Sequence, residues 1–352
     1  MKKISVKASK PYEVLIEQGI LSRCGKLVSE VTKTRFAALV TDDTVDSLYS
    51  GKVIGSLEEA GFRVVKFVFK SGEKSKCSET LNRIYSFLAE NSITRSDCLI
   101  ALGGGVVGDI TGYAAATYLR GLAYIQIPTT LLAQIDSSVG GKTAIDLPCG
   151  KNLVGAFKQP ELVICDPLTL KTLSPEIVSD GMAEAIKYGM IRSRELFDII
   201  ASHTIDDYFD DIDDIIFRCV SIKRDVVEND EFDKGERMLL NFGHTMGHAI
   251  ESFFHYETYT HGNAVAAGMH IITEQAVKHS ECKAEALEAL DRVITSYRLP
   301  LNTEAKISDL IPLCANDKKC ESSSINAIIC SDIGTSSIKK MPFEEFRAYM
   351  EA

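Results

Sequence analysis

No apolar run in the 352 residues approaches the roughly 20 needed to cross a bilayer, so a helical membrane span is excluded. The opening stretch, Met1 to Lys7, lacks the apolar core of a secretory signal. A cytoplasmic protein with no membrane partner is expected. No two of the ten cysteines form a Cys-x-x-Cys pair. They are scattered from Cys24 to Cys330, and Cys98 and Cys165 sit in strand-like apolar runs. Reduced, buried thiols are expected, not a disulfide frame or a thiolate metal site. Basic residues are outnumbered, with 39 Lys and Arg against 49 Asp and Glu, a net charge of −10. That balance argues against nucleic acid as the partner, because a phosphate backbone selects a basic face. It leaves room for a local basic pocket that takes a small anion. Internal repeats and low-complexity linkers are also absent.

What remains is 45% hydrophobic and 25% charged, the balance of a folded protein. A chain of this length buries roughly three quarters of its unfolded surface, and two domains are expected. The first half alternates strand and helix signals. Phe36 to Val40, Val64 to Phe69, Cys98 to Leu102 and Leu122 to Ile127 are short apolar runs. Helical patterns such as Glu79 to Glu90 separate them. Strands alternating with helices imply a parallel sheet covered on both faces, an α/β Rossmann-like domain. Ligands of such sheets lie beyond the strand carboxyl ends. Asp42, Glu73, the triple glycine at 103–105 and Thr129-Thr130 all fall there. After Asp166-Pro167 the texture turns mostly helical, with Ser174-Pro175 as a helix start. The boundary is placed near residue 170, giving domains 1–170 and 171–352.

Gly103-Gly104-Gly105-Val106-Val107-Gly108 satisfies G-x-G-x-x-G at the end of a strand, a turn whose backbone can approach a pyrophosphate. No acidic residue stands about 20 positions later to hold a ribose. Asp42 or Glu73 can take that part. Gly140-Gly141-Lys142-Thr143 is not a P-loop, because Asp136 occupies the position of the first glycine. Lys142 reads instead as one cation of a cluster, with Lys151-Asn152 following in a Pro/Gly-rich loop. His244 and His248 are spaced i, i+4, which puts both on one helix face at metal-ligand spacing. His261 and Glu184 are further candidate ligands. His203, His255, His270 and His279 are read as structural. Lys223, Arg224, Arg237 and Lys318-Lys319 suggest a substrate with more than one negative group, although single surface ion pairs account for each alone.

Four stretches taken together resemble one family. Asp136 to Thr143, Gly150 to Gly155, Asn241 to His248 and His261-Gly262 closely resemble the 3-dehydroquinate synthases, in order and spacing, from about Thr41 to Gly334. The resemblance implies an NAD-binding α/β N-terminal domain and a mostly α-helical C-terminal domain. It implies Glu184, His244 and His261 as ligands of Zn2+, or of Co2+ in its place. His248 then becomes a polar contact to substrate, not the ligand that spacing suggests. NAD is expected on Ser71, Gly72, Glu73, Lys74, Ser75 and Lys76. Gly105, Val106, Val107, Gly108, Asp109, Thr129 and Thr130 continue that surface, with Thr169, Leu170, Lys171 and Thr172, and with Asp42 near a ribose. Lys142 and Lys151 face both cofactor and substrate. Asp136, Asn152, Lys187, Lys223, Arg237, Asn241 and either Lys318 or Lys319 match substrate positions. Arg120 matches an arginine that reaches in from a neighbouring subunit, so a homodimer is implied. Two residues depart from the pattern. Asn263 stands where glutamate is common, which weakens the expected support of a metal ligand. Lys158 stands where an aromatic residue or histidine is frequent.

The implied substrate is a small sugar-acid phosphate, 3-deoxy-D-arabino-heptulosonate 7-phosphate. The implied reaction is transient oxidation, β-elimination of phosphate, reduction and an intramolecular aldol closure to 3-dehydroquinate. Two rival readings stand beside it. A metal-dependent polyol dehydrogenase would share the glycine turn, NAD and histidines without needing so many cations. A non-catalytic NAD sensor would need no metal ligands.

Overall fold

The computed structural model describes residues 1–233, 235–314 and 324–352. The chain divides into two compact units. One is Met1–Leu173 with Lys223–Phe232, and the other is Ser174–Ile222 with Asp233–Ala352. The single cut near residue 170 therefore omits a return: the segment that carries Lys223 belongs with the first unit.

The first unit contains nine strands: β1 (Lys2–Val6), β2 (Tyr12–Ile16), β3 (Phe36–Asp42), β4 (Arg63–Phe69), β5 (Cys98–Gly103), β6 (Ala123–Pro128), β7 (Lys142–Leu147), β8 (Gly150–Phe157) and β9 (Leu162–Cys165). Seven form one sheet in the order β1-β2-β9-β6-β5-β3-β4. Every pairing in it is parallel except β1 with β2. The antiparallel edge was not expected: the link from Val6 to Tyr12 is too short for a parallel crossover, and only Ile4 and Val6 of β1 are buried, while Lys3 and Ser5 face water. The central strands are buried on both faces. Ala37, Leu39, Cys98, Ile100 and Leu102 pack in one core with α1 (Cys24–Val31) and α3 (Gly51–Glu59). Ala38, Val40, Leu99 and Ala101 pack in the other with α4 (Ser78–Glu90) and α5 (Gly105–Thr117). The two-residue alternation of side chains along each strand makes this division. A short helix, α2 (Asp43–Val45), follows β3.

Read in order of occurrence, β4-β3-β5-β6-β9 is the doubly wound 2-1-3-4-5 arrangement. Connections from β3 leave in one direction and those from β5 in the other. The crevice for a ligand then lies outside the carboxyl ends of β3 and β5, at Asp42 and Gly103. The segment read as a Pro/Gly-rich loop is an antiparallel hairpin, β7 with β8.

The second unit is mostly helical, as expected. It holds α6 (Pro175–Arg192), α7 (Arg194–Ala201), most of α8 (Ile212–Asn229), α9 (His244–Phe253), α10 (His261–Lys278), α11 (Ala284–Ser296), α12 (Ile307–Cys314) and α13 (Phe343–Met350). One hairpin, β10 (Ser324–Asp332) with β11 (Thr335–Pro342), joins them. Ser174 stands at the N-cap of α6 with Pro175 in its first turn, although its side chain makes no cap bond to the backbone. No described helix is long and apolar enough to cross a membrane. No disulfide joins the described cysteines, all of which are buried except Cys77 and Cys149.

Candidate active site

Helix α6 is buried on nearly all sides, lined by Met182, Ala183, Ala185, Ile186 and Tyr188. Two of its charged residues are buried, Glu184 at 1% exposure and Lys187 at 2%. Buried charges persist only when paired, and here the Lys187 ammonium donates to Glu184 Oε2. The other oxygen, Oε1, is buried with no hydrogen-bond partner. His244 Nε2 stands 3.3 Å from it and His261 Nε2 3.5 Å from it. His244 Nδ1 lies 3.1 Å from the Phe242 carbonyl, which can only accept. The proton therefore sits on Nδ1, and the Nε2 lone pair faces the carboxylate. Two imidazole nitrogens and one carboxylate oxygen therefore converge on one point. An ion bonded at about 2.0–2.1 Å to each of three tetrahedral ligands would hold them about 3.3–3.4 Å apart. The residues present fit a divalent cation.

His248 lies beside this trio, its ring centroid 5.5 Å from that of His244 and 6.2 Å from that of His261. It shares a second possible ligand group with Glu251 and His261. Sequence reading missed Glu251. It is 3% exposed, and its Oε2 stands 3.6 Å from His261 Nδ1. The departure at Asn263 thus does not leave His261 without a carboxylate, because Glu251 faces it from α9. The only available signal was the spacing His248 to Glu251, one turn on the same helix face.

Burial pushes the Glu184 carboxyl up, but the Lys187 charge, with the neighbouring imidazoles of His244 and His261, outweighs it and holds the carboxyl well below its ordinary value. Burial lowers His244 to about 4, so it is neutral at physiological pH. Burial also works against a charged His261, yet Glu184 and Glu251 outweigh it and raise that imidazole to about 10. With its pKa raised in this direction, His261 holds a proton near neutrality in competition with a cation. A cation must displace it, so metal affinity should fall about tenfold for each pH unit lowered near neutrality. Chelator competition across pH measures this, and a flat profile would contradict His261 as a ligand.

Close helix contacts bring these candidate ligands together. His244 and His261 open α9 and α10. A Cβ on Gly268 of α10 would stand 2.1 Å from the Gly243 carbonyl oxygen, and one on Gly262 would stand 2.2 Å from that of Asp180 on α6. The Gly262 N–H also donates to Asp180 Oδ1 at 2.6 Å. Asp180 is a second residue that sequence reading missed. Gly262→Ala should therefore cost about 1–3 kcal/mol of stability and weaken metal retention, as thermal denaturation and metal titration would read out.

In the first unit, Asp42 Oδ1 accepts from the N–H groups of Thr44 at 3.0 Å and Val45 at 2.9 Å, and its other oxygen bonds to no described residue. Burial raises this carboxyl, and those two N–H groups offset part of the rise. Gly104 caps α5 without a side-chain bond to the free N–H groups. A Cβ on Gly108 would meet Gln126 Oε1 at 2.8 Å, so the third glycine serves helix-on-strand packing. The Thr129 N–H donates to the Gly103 carbonyl at 3.0 Å, while its buried hydroxyl has no partner. Ser71 and Gly72 lead into a 3-10 turn at Glu73–Ser75. Tyr49 binds the Thr169 carbonyl at 3.1 Å and the Thr172 hydroxyl at 2.6 Å.

Asp136 and Lys223 pair directly, with Nζ 2.8 Å from Oδ1 and 2.6 Å from the Asp136 carbonyl oxygen. Lys142 and Lys151 lie toward opposite ends of the β7–β8 hairpin. Lys142 pairs with Phe157 at the open end of the β7–β8 hairpin, while Lys151 follows its turn. About 13 Å of strand separates those ends. Arg237 is buried and Asn241 half-buried, on the 3-10 segment before α9. Arg120 is exposed, with φ 71°, after Leu119 at φ 50°. Lys318 and Lys319 lie outside the described residues.

Solved structures with this architecture define the class of fold. A 2-deoxy-scyllo-inosose synthase complexed with carbaglucose-6-phosphate, NAD+ and Co2+ superposes with TM-score 0.86 at 24% identity, covering 99% of each chain. The 2-epi-5-epi-valiolone synthase of Streptomyces hygroscopicus, with NAD+ and Zn2+ bound, superposes with TM-score 0.88 at 23% identity, covering 99% of this chain and 98% of that one. The likeness establishes the fold of these synthases, and the sequence decides the family. Models of the N-terminal and C-terminal regions of 3-dehydroquinate synthase match residues 66–180 and 181–320. A 3-dehydroquinate synthase of Clostridium acetobutylicum is 50% identical over 341 residues, 96% of either chain. The chain belongs to the 3-dehydroquinate synthase family.

Proposed function

We propose that this chain converts 3-deoxy-D-arabino-heptulosonate 7-phosphate into 3-dehydroquinate and phosphate, using NAD and one divalent cation, Zn2+ or Co2+. The observation that carries the proposal is the buried, unpartnered Glu184 Oε1 facing two imidazole nitrogens, in a chain of this family. When bound, NAD supplies a reversible hydride acceptor and the cation acidifies a coordinated hydroxyl. Lys187 ties down Glu184 Oε2, so that Oε1 alone is offered to the cation. Phe242 and Glu251 fix the two imidazoles from behind.

Asp42, Ser71 to Lys76, Gly105 to Asp109, Thr129-Thr130 and Thr169 to Thr172 hold the cofactor. Family membership and the position of the β3–β5 switch point support that reading. Asp136, Asn152, Lys187, Lys223, Arg237, Asn241, His248 and one of Lys318 or Lys319 take the substrate. Lys142 and Lys151 serve both. The cations in this set answer a carboxylate and a phosphate on one molecule. The protein works in the cytoplasm as a homodimer in which Arg120 reaches the site of the partner subunit. The exposed side chain of Arg120, with no ion pair among the described residues, supports this role.

The test is an assay with the heptulosonate phosphate. Phosphate and 3-dehydroquinate should appear one for one, with no NADH accumulating. Accumulation of NADH in step with substrate would favour a dehydrogenase instead.

A further inference from the structure

The hairpin that carries Asn152 is latched to the segment that ends at Lys76. The Asp146 N–H donates to the Lys76 carbonyl at 2.7 Å, and the Asn152 N–H donates to Asp146 Oδ1 at 2.7 Å. The Lys76 ammonium then donates to the side-chain oxygen of Asn152, closing a ring of bonds. Lys76 is only 4% exposed, and its charge is balanced by Asp109 Oδ2 at 2.6 Å. Asn152 holds φ 56°, a left-handed conformation that asparagine tolerates better than most residues.

An ammonium has donors only, so the Asn152 atom that faces it must be the carbonyl oxygen. This settles which way the amide points. Its NH2 end is directed away from Lys76, is exposed, and donates to no described residue. We propose that Lys76 is a positioning residue for substrate: it holds the Asn152 amide oxygen-inward, so that both side-chain donors are presented to an oxygen of the substrate. This rests on the reading of Asn152 as a substrate contact. Lys76 thereby joins the cofactor-binding segment to a substrate-binding side chain within one unit.

A double-mutant cycle tests it, using the holoenzyme with NAD saturating so that altered cofactor affinity does not enter. Asn152→Ala should raise KM for the heptulosonate phosphate about tenfold, the worth of one oriented hydrogen bond. Lys76→Met should raise it by a similar factor, with the smaller part of the loss in kcat. The double variant should be no worse than Asn152→Ala alone. If Lys76→Met leaves Asp109 too poorly compensated for the chain to fold, Lys76→Met with Asp109→Asn serves as the parent of the cycle. Asn152→Asp keeps the acceptor for Lys76, removes the donors and adds a charge that repels an anionic substrate, so its KM should be at least as high as that of Asn152→Ala. Multiplying effects in the double variant would overturn the positioning role while leaving Asn152 a substrate contact. An unchanged KM in Asn152→Ala would instead overturn the reading of Asn152 on which the proposal rests.

Discussion

Glu184→Gln and His261→Ala should each purify without the divalent cation and turn over about a thousandfold more slowly than the unaltered protein. The magnitude follows from the several kcal/mol that a Lewis-acid cation contributes, at about 1.4 kcal/mol per factor of ten. The two substitutions act by different routes. Glutamine keeps the shape of the carboxylate beside Lys187 but removes the charge that draws a cation. Alanine at 261 removes one of two imidazole ligands and leaves Glu184 and Lys187 paired. Either substitution at 184 removes the counter-charge of Lys187 at 2% exposure, a defect that costs about 3–5 kcal/mol, but glutamine keeps a carbonyl oxygen to accept from the ammonium whereas alanine leaves no acceptor at all. Glutamine is therefore the cleaner probe. Metal content by mass spectrometry, with circular dichroism as the control for folding, checks both variants. Full turnover in metal-free His261→Ala would remove His261 from the ligand set.

Mixing two inactive variants should restore activity. In the proposed dimer, Arg120→Ala should spoil the site of the partner subunit, and Glu184→Gln its own. In a mixed dimer, the Arg120→Ala subunit keeps its ligands and receives Arg120 from its partner, so one site is complete. The other site carries both defects. Random exchange in a two-fold dimer makes half the dimers mixed, so about a quarter of full activity should return. The mixture would stay inactive if Arg120 served its own subunit or if the chain were monomeric. Turnover before and after exchange, with sedimentation to establish the dimer, decides the outcome.

The parallel strands were legible because strands buried on both faces must be apolar throughout, as Cys98 to Leu102 is. The glycine turn was legible because its position at a strand end is itself a sequence pattern. Edge elements were not. The β1 strand carries only two buried residues, and the β7–β8 hairpin is punctuated by Pro148 and glycines that also mark loops. Periodicity put His244 and His248 on one helix face correctly, yet the three-residue group that includes the unpartnered Glu184 Oε1 is Glu184, His244 and His261. Periodicity within a helix carries no information about which other helix packs against it. The closeness of α6, α9 and α10 follows from Gly262 and Gly268, which became informative only once their neighbours were known. Glu251 and Asp180 read as ordinary helix charges for the same reason: burial is a property of the folded chain.

Two ligand groups share His261, namely Glu184 with His244, and Glu251 with His248. One measurement separates them: anomalous diffraction from crystals of the zinc-loaded protein. A single peak is expected about 2.0–2.2 Å from Glu184 Oε1, His244 Nε2 and His261 Nε2, with Glu251 behind the His261 ring. A peak bonded to His248 and Glu251, with Glu184 still held by Lys187 alone, would contradict the assignment.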